Sequence, residues 1–271
     1  MESQRNKENG LIEDITGQIH INFSHLNLSP LSVRITKVKF DLLKKYIEEW
    51  SIDEIVSFYL CAEEREQFFS FRYEKRKTEW LSGRIAAKCA AIQLENNEPR
   101  TFWEKNKWHA VRITSDRLGK PYVSVIGHGQ LAHSPQISIS HSKELAIGLA
   151  ALENCGVDIQ KITPAIERVE NRFVALEEHH ILAEVIELYG RQTALTLLWS
   201  AKEAVKKAAA GPGIPGFMGI RLCSLQKQDG GFLFSVSVKE NGSWQKTKLL
   251  IWVCVLESFS FAMTTENLGK T

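Results

Sequence analysis

Long apolar runs and net charge are both scarce in this 271-residue chain. No hydrophobic stretch approaches the roughly 20 residues that span a bilayer, and the first ten residues, "MESQRNKENG", are too polar for a secretory signal. A cytoplasmic protein with no membrane partner is the expectation. The 34 basic and 32 acidic side chains leave a net charge of +2, which excludes a general nucleic-acid binder and makes any cationic surface local. The five cysteines (Cys61, Cys89, Cys155, Cys223 and Cys254) are odd in number and scattered, with no C-x-x-C pair. That pattern excludes a zinc module and predicts reduced, structural thiols.

What is present is enough apolar material for a sizeable core: 44% of the residues are hydrophobic, and the length admits one large domain or two compact lobes. Residues 1–30 are polar and lack a sustained period, so they read as an extension with one short strand around Ile19–Phe23. "VRITKVKF" from Val33 alternates like a strand, and Ser51 to Glu95 reads as helical, with Ser51 and Asp53 as candidate caps. "WHAVRITSD", "PYVSVIG", "ISIS" and "LAIGLAALE" read as further strands leading into "CGVDIQ". Helices are expected over about Ala165–Leu188 and Gln192–Ala210, stopped by "GPGIPG", and a β run closes the chain.

One internal echo joins the halves. Trp80, Arg84 and Lys88 have the same spacing as Trp199, Glu203 and Lys207, each set falling on one helical face at i, i+4 and i+8. The spacing suggests duplication of a unit of about 110 to 120 residues.

The chemistry concentrates in "WSAKEAVKKA" from Trp199. Glu203 and Lys207 alone would be a solvated helical pair worth a few tenths of a kcal/mol. A carboxylate among Lys202, Lys206 and Lys207 also suits a site that gathers a metal ion and phosphates. Asp158 in "GVDIQ" reads as a turn aspartate or as a second oxygen ligand for a hard cation such as Mg²⁺. Gln160, two residues on, shares the face of Asp158 on a strand and offers an amide oxygen. "SISHS" (Ser138, Ser140, His141), "GKPY" (Lys120) and the cluster Arg72, Lys75, Arg76 and Lys77 are each weak signals, and an isolated histidine or charge run is more often structural or solvated.

The order of these elements resembles the 4′-phosphopantetheinyl transferases of the surfactin-synthetase-activating type. It runs through a basic helix with "WLSGR", "GKPY", "SISHS", "GVDI", an F-x-x-x-E element at Phe173 and Glu177, and "W-S-x-K-E-A-x-x-K", and it covers about residues 50–217. The resemblance implies an α/β (α+β) protein with two similar lobes related by a pseudo-twofold axis. These would be residues 31–152 and 153–271 after the extension 1–30, in a monomer binding coenzyme A in the cleft between them. It implies transfer of the phosphopantetheine arm of coenzyme A to a serine of an apo acyl or peptidyl carrier protein, with Mg²⁺ or Mn²⁺ as cofactor.

By the same resemblance Asp158, Gln160 and Glu203 are the metal ligands. Glu203 is also the general base for the serine, and Lys207 neutralises the pyrophosphate. Lys120, Ser140 and His141 hold the adenosine and its 3′-phosphate, helped by Arg84 and the Arg72–Lys77 cluster, with Arg65 or Arg72 as substitutes for a basic residue at Gln67. Gln160 departs from relatives that carry a second acid there, and Gln67 stands where some relatives place a basic residue. Carrier docking is expected on the stretch 165–188, through groups such as Val169 or Phe173, although Phe173 also fits a core. The competing readings are a non-catalytic coenzyme A or carrier-binding module, favoured only by Gln160, and a metal-dependent phosphodiesterase, which leaves "GKPY" and "SISHS" unexplained.

Overall fold

The computed structural model describes residues 16–18, 32–95, 108–126, 134–209, 216–240, 242–266 and 268. They divide into two compact units, one reaching Leu152 and one beginning at Glu153, the latter also holding Leu118–Lys120. The strand expected around Ile19–Phe23 lies outside the described residues.

In the first unit the alternation of "VRITKVK" buries Val33, Ile35 and Val38 and makes strand β2 (Val33–Lys39), flanked by the short β1 (Thr16–Gln18). Helices α1 (Phe40–Trp50), α2 (Ile52–Tyr59), α3 (Ala62–Ser70) and α4 (Glu74–Glu95) follow. Ser51 caps α2 as the sequence suggests, its hydroxyl accepting the Glu54 N–H at 3.3 Å. Strands β3 (Val111–Ser115), β4 (Pro121–Val125), β5 (Gln136–Ser142) and β6 (Leu145–Ala151) complete an antiparallel sheet in the order β1-β2-β6-β5-β4-β3. Helix α4 is buried on two sides. Leu81 and Ile85 meet α1 to α3, whereas Ala87, Ala90, Ala91 and Leu94 meet the sheet. The alanines let the helix lie so close that a Cβ on Gly148 of β6 would collide with the backbone of Ala86 and Ala87.

The second unit starts with β7 (Cys155–Lys161) and a 3₁₀ segment, Pro164–Arg172. Helices α5 (Glu178–Ile181), α6 (Ala183–Tyr189) and α7 (Arg191–Ala208) come next. Strands β8 (Ile220–Gln228), β9 (Gly231–Glu240), β10 (Ser243–Trp244), β11 (Leu249–Leu256) and β12 (Phe259–Thr265) close it, in the order β10-β9-β11-β12-β7 with β8 beside β9. The helix expected over 165–188 is broken at Phe173–Glu177, because the backbone groups there serve a buried carboxylate and ammonium instead of a helical ladder. The unit's core joins Leu197, Leu198, Ala201, Ala204 and Val205 of α7 to Phe232, Phe234, Val236, Val253 and Ala262 of the sheet.

Apart from β1 and β10 the two sheets have one strand order: β2-β6-β5-β4-β3 in the first and β7-β12-β11-β9-β8 in the second. A buried ion pair fixes the register between them. In the first unit Lys88 Nζ donates to Tyr59 O at 2.7 Å and to Glu64 Oε2 at 2.5 Å, while Glu64 accepts the N–H of Cys61 and of Ile113 on β3. In the second, Lys202 Nζ donates to Phe173 O at 2.6 Å and to Glu178 Oε2 at 2.9 Å, while Glu178 accepts the N–H of Ala175 and of Leu222 on β8.

Tyr59, Cys61, Glu64 and Lys88 are each displaced by 114 positions from Phe173, Ala175, Glu178 and Lys202. The duplication is therefore visible, but in another register than the tryptophan spacing suggests: Lys88 corresponds to Lys202, not Lys207. The acid of the "FVALEE" stretch is likewise Glu178, which is fully buried, and not Glu177, which is exposed.

Candidate functional site

Strand β7 and helix α7 build the site. A Cβ on Gly156 would fall inside contact distance of the Ala204 carbonyl oxygen and 2.8 Å from Ala208 N, so that face of β7 lies directly against α7. With a period of two, Asp158 and Gln160 point to the same face. Farther along, Ser260, the cross-strand partner of Gln160, shares a hydrogen bond of 2.5 Å with Ser200 on α7. Running from Gly156 to Gln160 therefore follows α7 from Ala208 back toward Ser200, and Glu203 and Lys207 lie on that stretch, one turn apart.

Lys207 Nζ closes the arrangement. It donates to Asp158 Oδ1 and to Val157 O, both at 2.9 Å. Glu203 accepts from Lys206 Nζ at 3.1 Å, and that ammonium lies 4.4 Å from the centre of the Phe217 ring. Asp158 is buried, whereas Glu203 keeps 23% and Lys207 28% of its side chain exposed. The site thus offers two carboxylates and two ammonium groups to whatever arrives from solvent. No group of three His, Cys, Asp or Glu residues suited to a metal occurs among the described residues. An ion held here would have Asp158, Glu203 and the Gln160 amide as its protein donors. That all-oxygen set suits a hard divalent cation keeping several waters. The expected result of Gln160→Glu is a lower Mg²⁺ concentration for half-maximal binding or activity, checked by metal titration; an unchanged midpoint would place Gln160 away from the ion.

The remaining sequence-predicted residues have separate settings. Lys120 Nζ donates to Asn154 Oδ1 at 2.6 Å, and Asn154 Nδ2 in turn donates to Glu266 at 2.5 Å, all within the second unit. Ser140 and His141 are consecutive on β5 and point to opposite faces, Ser140 buried and His141 exposed. Arg84 lies 4.7 Å from the centre of the Trp80 ring and 3.9 Å from Glu64, and burial pulls its pKa down. Arg65 is half-buried and reaches Ser57 Oγ at 3.4 Å, while Gln67 is exposed.

At the same register the first unit carries no charge. Cys89 and Gln93 stand 114 positions before Glu203 and Lys207. Thr36, cross-strand from Gly148, stands where Asp158 sits cross-strand from Ala262. Thr36 Oγ1 bonds Gln93 Oε1 at 3.4 Å, and Gln93 Nε2 donates to Cys89 Sγ at 3.7 Å. Sequence inspection for charged motifs misses this counterpart. The signal that finds it is the likeness of "YLCAEE" at Tyr59 to "FVALEE" at Phe173, which sets the shift of 114.

Residues 154–258, which include Asp158, Gln160, Glu203, Lys206 and Lys207, match the sequence profile of the 4′-phosphopantetheinyl transferase superfamily. Holo-[acyl-carrier-protein] synthase of Staphylococcus haemolyticus is 34% identical over 122 residues, covering 45% of this chain and 94% of that one. The protein of that name from Lactococcus lactis subsp. lactis is 36% identical over 94 residues, covering 35% of this chain and 74% of that one. The solved holo-ACP-synthase of Plasmodium yoelii gives a TM-score of 0.36 at 18% identity, over 44% of this chain and 91% of that one, a likeness too slight to fix the fold. An aligned relative matched over nearly its whole length, together with the profile match across β7 and α7, makes this chain a member of the 4′-phosphopantetheinyl transferase superfamily.

Proposed function

We propose that this enzyme transfers the 4′-phosphopantetheine moiety of coenzyme A to a serine hydroxyl of an apo acyl or peptidyl carrier protein, releasing adenosine 3′,5′-bisphosphate. The observation that carries the reading is the bond of Lys207 on α7 to Asp158 on β7, with Glu203 one helical turn before Lys207, inside the family match. In the transfer a bond forms between the serine oxygen and the β-phosphorus, and the bond from that phosphorus to the oxygen bridging to the α-phosphorus breaks. Glu203 accepts the serine proton, directly or through one water. Lys207 places its ammonium against the diphosphate, where a fixed positive charge lowers the cost of the negative charge developing on oxygen. Its present bond to Asp158 keeps that ammonium in place beforehand. When bound, Mg²⁺ or Mn²⁺ would supply further charge neutralisation from the Asp158, Gln160 and Glu203 oxygens.

Two similar units in one chain support the surfactin-synthetase-activating, monomeric type. Lys120, Arg65, Arg84, Ser140 and His141 stay proposed coenzyme A contacts by their match to the family motifs alone. For carrier docking the reading keeps the stretch 165–188 but changes its residues. Phe173 is fully buried and Val169 packs on the core, whereas Leu176, 85% exposed, is available to a carrier helix. Incubating the chain with coenzyme A, Mg²⁺ and a panel of apo carriers, followed by intact-protein mass spectrometry, tests the proposal. A carrier gaining the mass of phosphopantetheine supports it, and no modification across the panel rejects it.

A further inference from the structure

Lys202 lies directly before Glu203 in a lysine-rich helix and invites assignment as a third phosphate ligand. Its surroundings argue otherwise. The side chain is fully buried, and its ammonium donates to Phe173 O at 2.6 Å and to Glu178 Oε2 at 2.9 Å and lies 2.8 Å from Glu178 Oε1 in the ion pair. Lys206 and Lys207, by contrast, stay partly exposed.

Besides Lys202, Glu178 accepts Ala175 N–H at 2.7 Å and Leu222 N–H at 2.6 Å, so one carboxylate ties α7 to the turn before α5 and to the start of β8. The first unit supplies an internal control. Lys88 and Glu64 repeat the same bonds beside Thr36, Cys89 and Gln93, where no charged site exists. The pair therefore belongs to the fold of each unit and is not there for the sake of a ligand.

Only in the second unit does the clamped helix also carry a candidate ligand on the adjoining residue. Along α7 the bonds of Ser200 and Thr196 to Ser260 hold the helix down on the sheet, and Lys202 holds it from another side of its circumference. Two anchors on different sides of one helix stop it turning about its axis. From this geometry we propose that Lys202 and Glu178 are positioning residues, which lock the rotation of α7 so that Glu203 faces the strip of β7 bearing Asp158 and Gln160. The inference rests on the functional reading above.

The test compares Lys202→Met with Lys88→Met in the full chain, reading thermal stability and the affinity for Mn²⁺ by calorimetry. Both variants strand a buried glutamate, and each is expected to lower Tm by roughly 6–15 °C. Lys202→Met is expected to weaken Mn²⁺ binding about tenfold or more, in line with the loss of outer supports at metal sites. Lys88→Met should leave it within about twofold of wild type. Should Lys202→Met fail to fold, Glu178→Gln is read in its place against Glu64→Gln.

Unchanged Mn²⁺ affinity in the second-unit variant overturns the proposal, and so do equal losses in both units. Intact Mn²⁺ binding with weakened coenzyme A binding also overturns it, by making Lys202 a ligand for the nucleotide. A wild-type chain that binds no Mn²⁺ counts instead against the functional reading.

Discussion

Replacing Glu203 by Ala is expected to lower the rate of carrier modification by about 10³-fold or more, and Asp158→Ala to have an effect of the same order. In the proposed transfer Glu203 both takes the serine proton and completes an oxygen donor set, and each role alone is worth a large factor. Asp158 is buried against Lys207, so its removal also strips that ammonium of its carboxylate partner and loosens a group that must stand ready for the diphosphate. The measurement is single-turnover transfer from coenzyme A to an apo carrier, followed by intact mass, with Mn²⁺ affinity read in parallel. Both variants should lose metal affinity while keeping the wild-type melting curve to within a few degrees. Transfer within tenfold of wild type in either variant would remove the β7–α7 face from the chemistry.

The second large effect is on stability. Gly156→Ala sets a methyl group inside contact distance of the Ala204 carbonyl and 2.8 Å from Ala208 N, both backbone atoms that no rotamer can move aside. Helix α7 must then lift from β7, and overpacking of this kind costs about 1–3 kcal/mol, with more where the contact is rigid. A fall in Tm of roughly 3–12 °C is expected in a thermal melt. Because the same lift draws Glu203 on α7 away from β7, which carries Asp158 and Gln160, metal affinity should fall with it. Gly148→Ala, which meets the backbone of Ala86 and Ala87 in the first unit, should depress Tm comparably with metal affinity preserved. A Gly156→Ala protein as stable as wild type would show that the helix can be moved off its strand at no cost.

The strands and the site were legible in the sequence for different reasons. "VRITKVK" alternates because one face of β2 is buried, and "GVDI" and "WSAKEAVKK" stand out as candidate site segments by their charges and their likeness to the family motifs. Their meeting followed from family likeness; what fixes it physically is Gly156, whose missing side chain lets α7 approach β7. The tryptophan spacing points to another register because the two tryptophans are not equivalent. Trp80 packs against Phe68 and Phe71, whereas Trp199 packs against Phe173 and Phe217, so the two tryptophans fill unlike gaps at unlike turns. The true markers, Glu64 with Lys88 and Glu178 with Lys202, are charged residues that look solvent-facing in a sequence. Only the folded chain shows them at 3% exposure or less, with burial pulling the lysine pKa down in both.

The uncharged trio Thr36, Cys89 and Gln93 means that two copies of one architecture answer to different demands. At this one register the second copy carries ionic groups whatever they cost in solvation, and the first is filled by neutral side chains alone. Volume-conserving substitutions of Thr36, Cys89 or Gln93 are expected to leave transfer unchanged. Two copies of one architecture can in this way differ most where their strands and helices coincide, and so a repeated fold hides its own repetition.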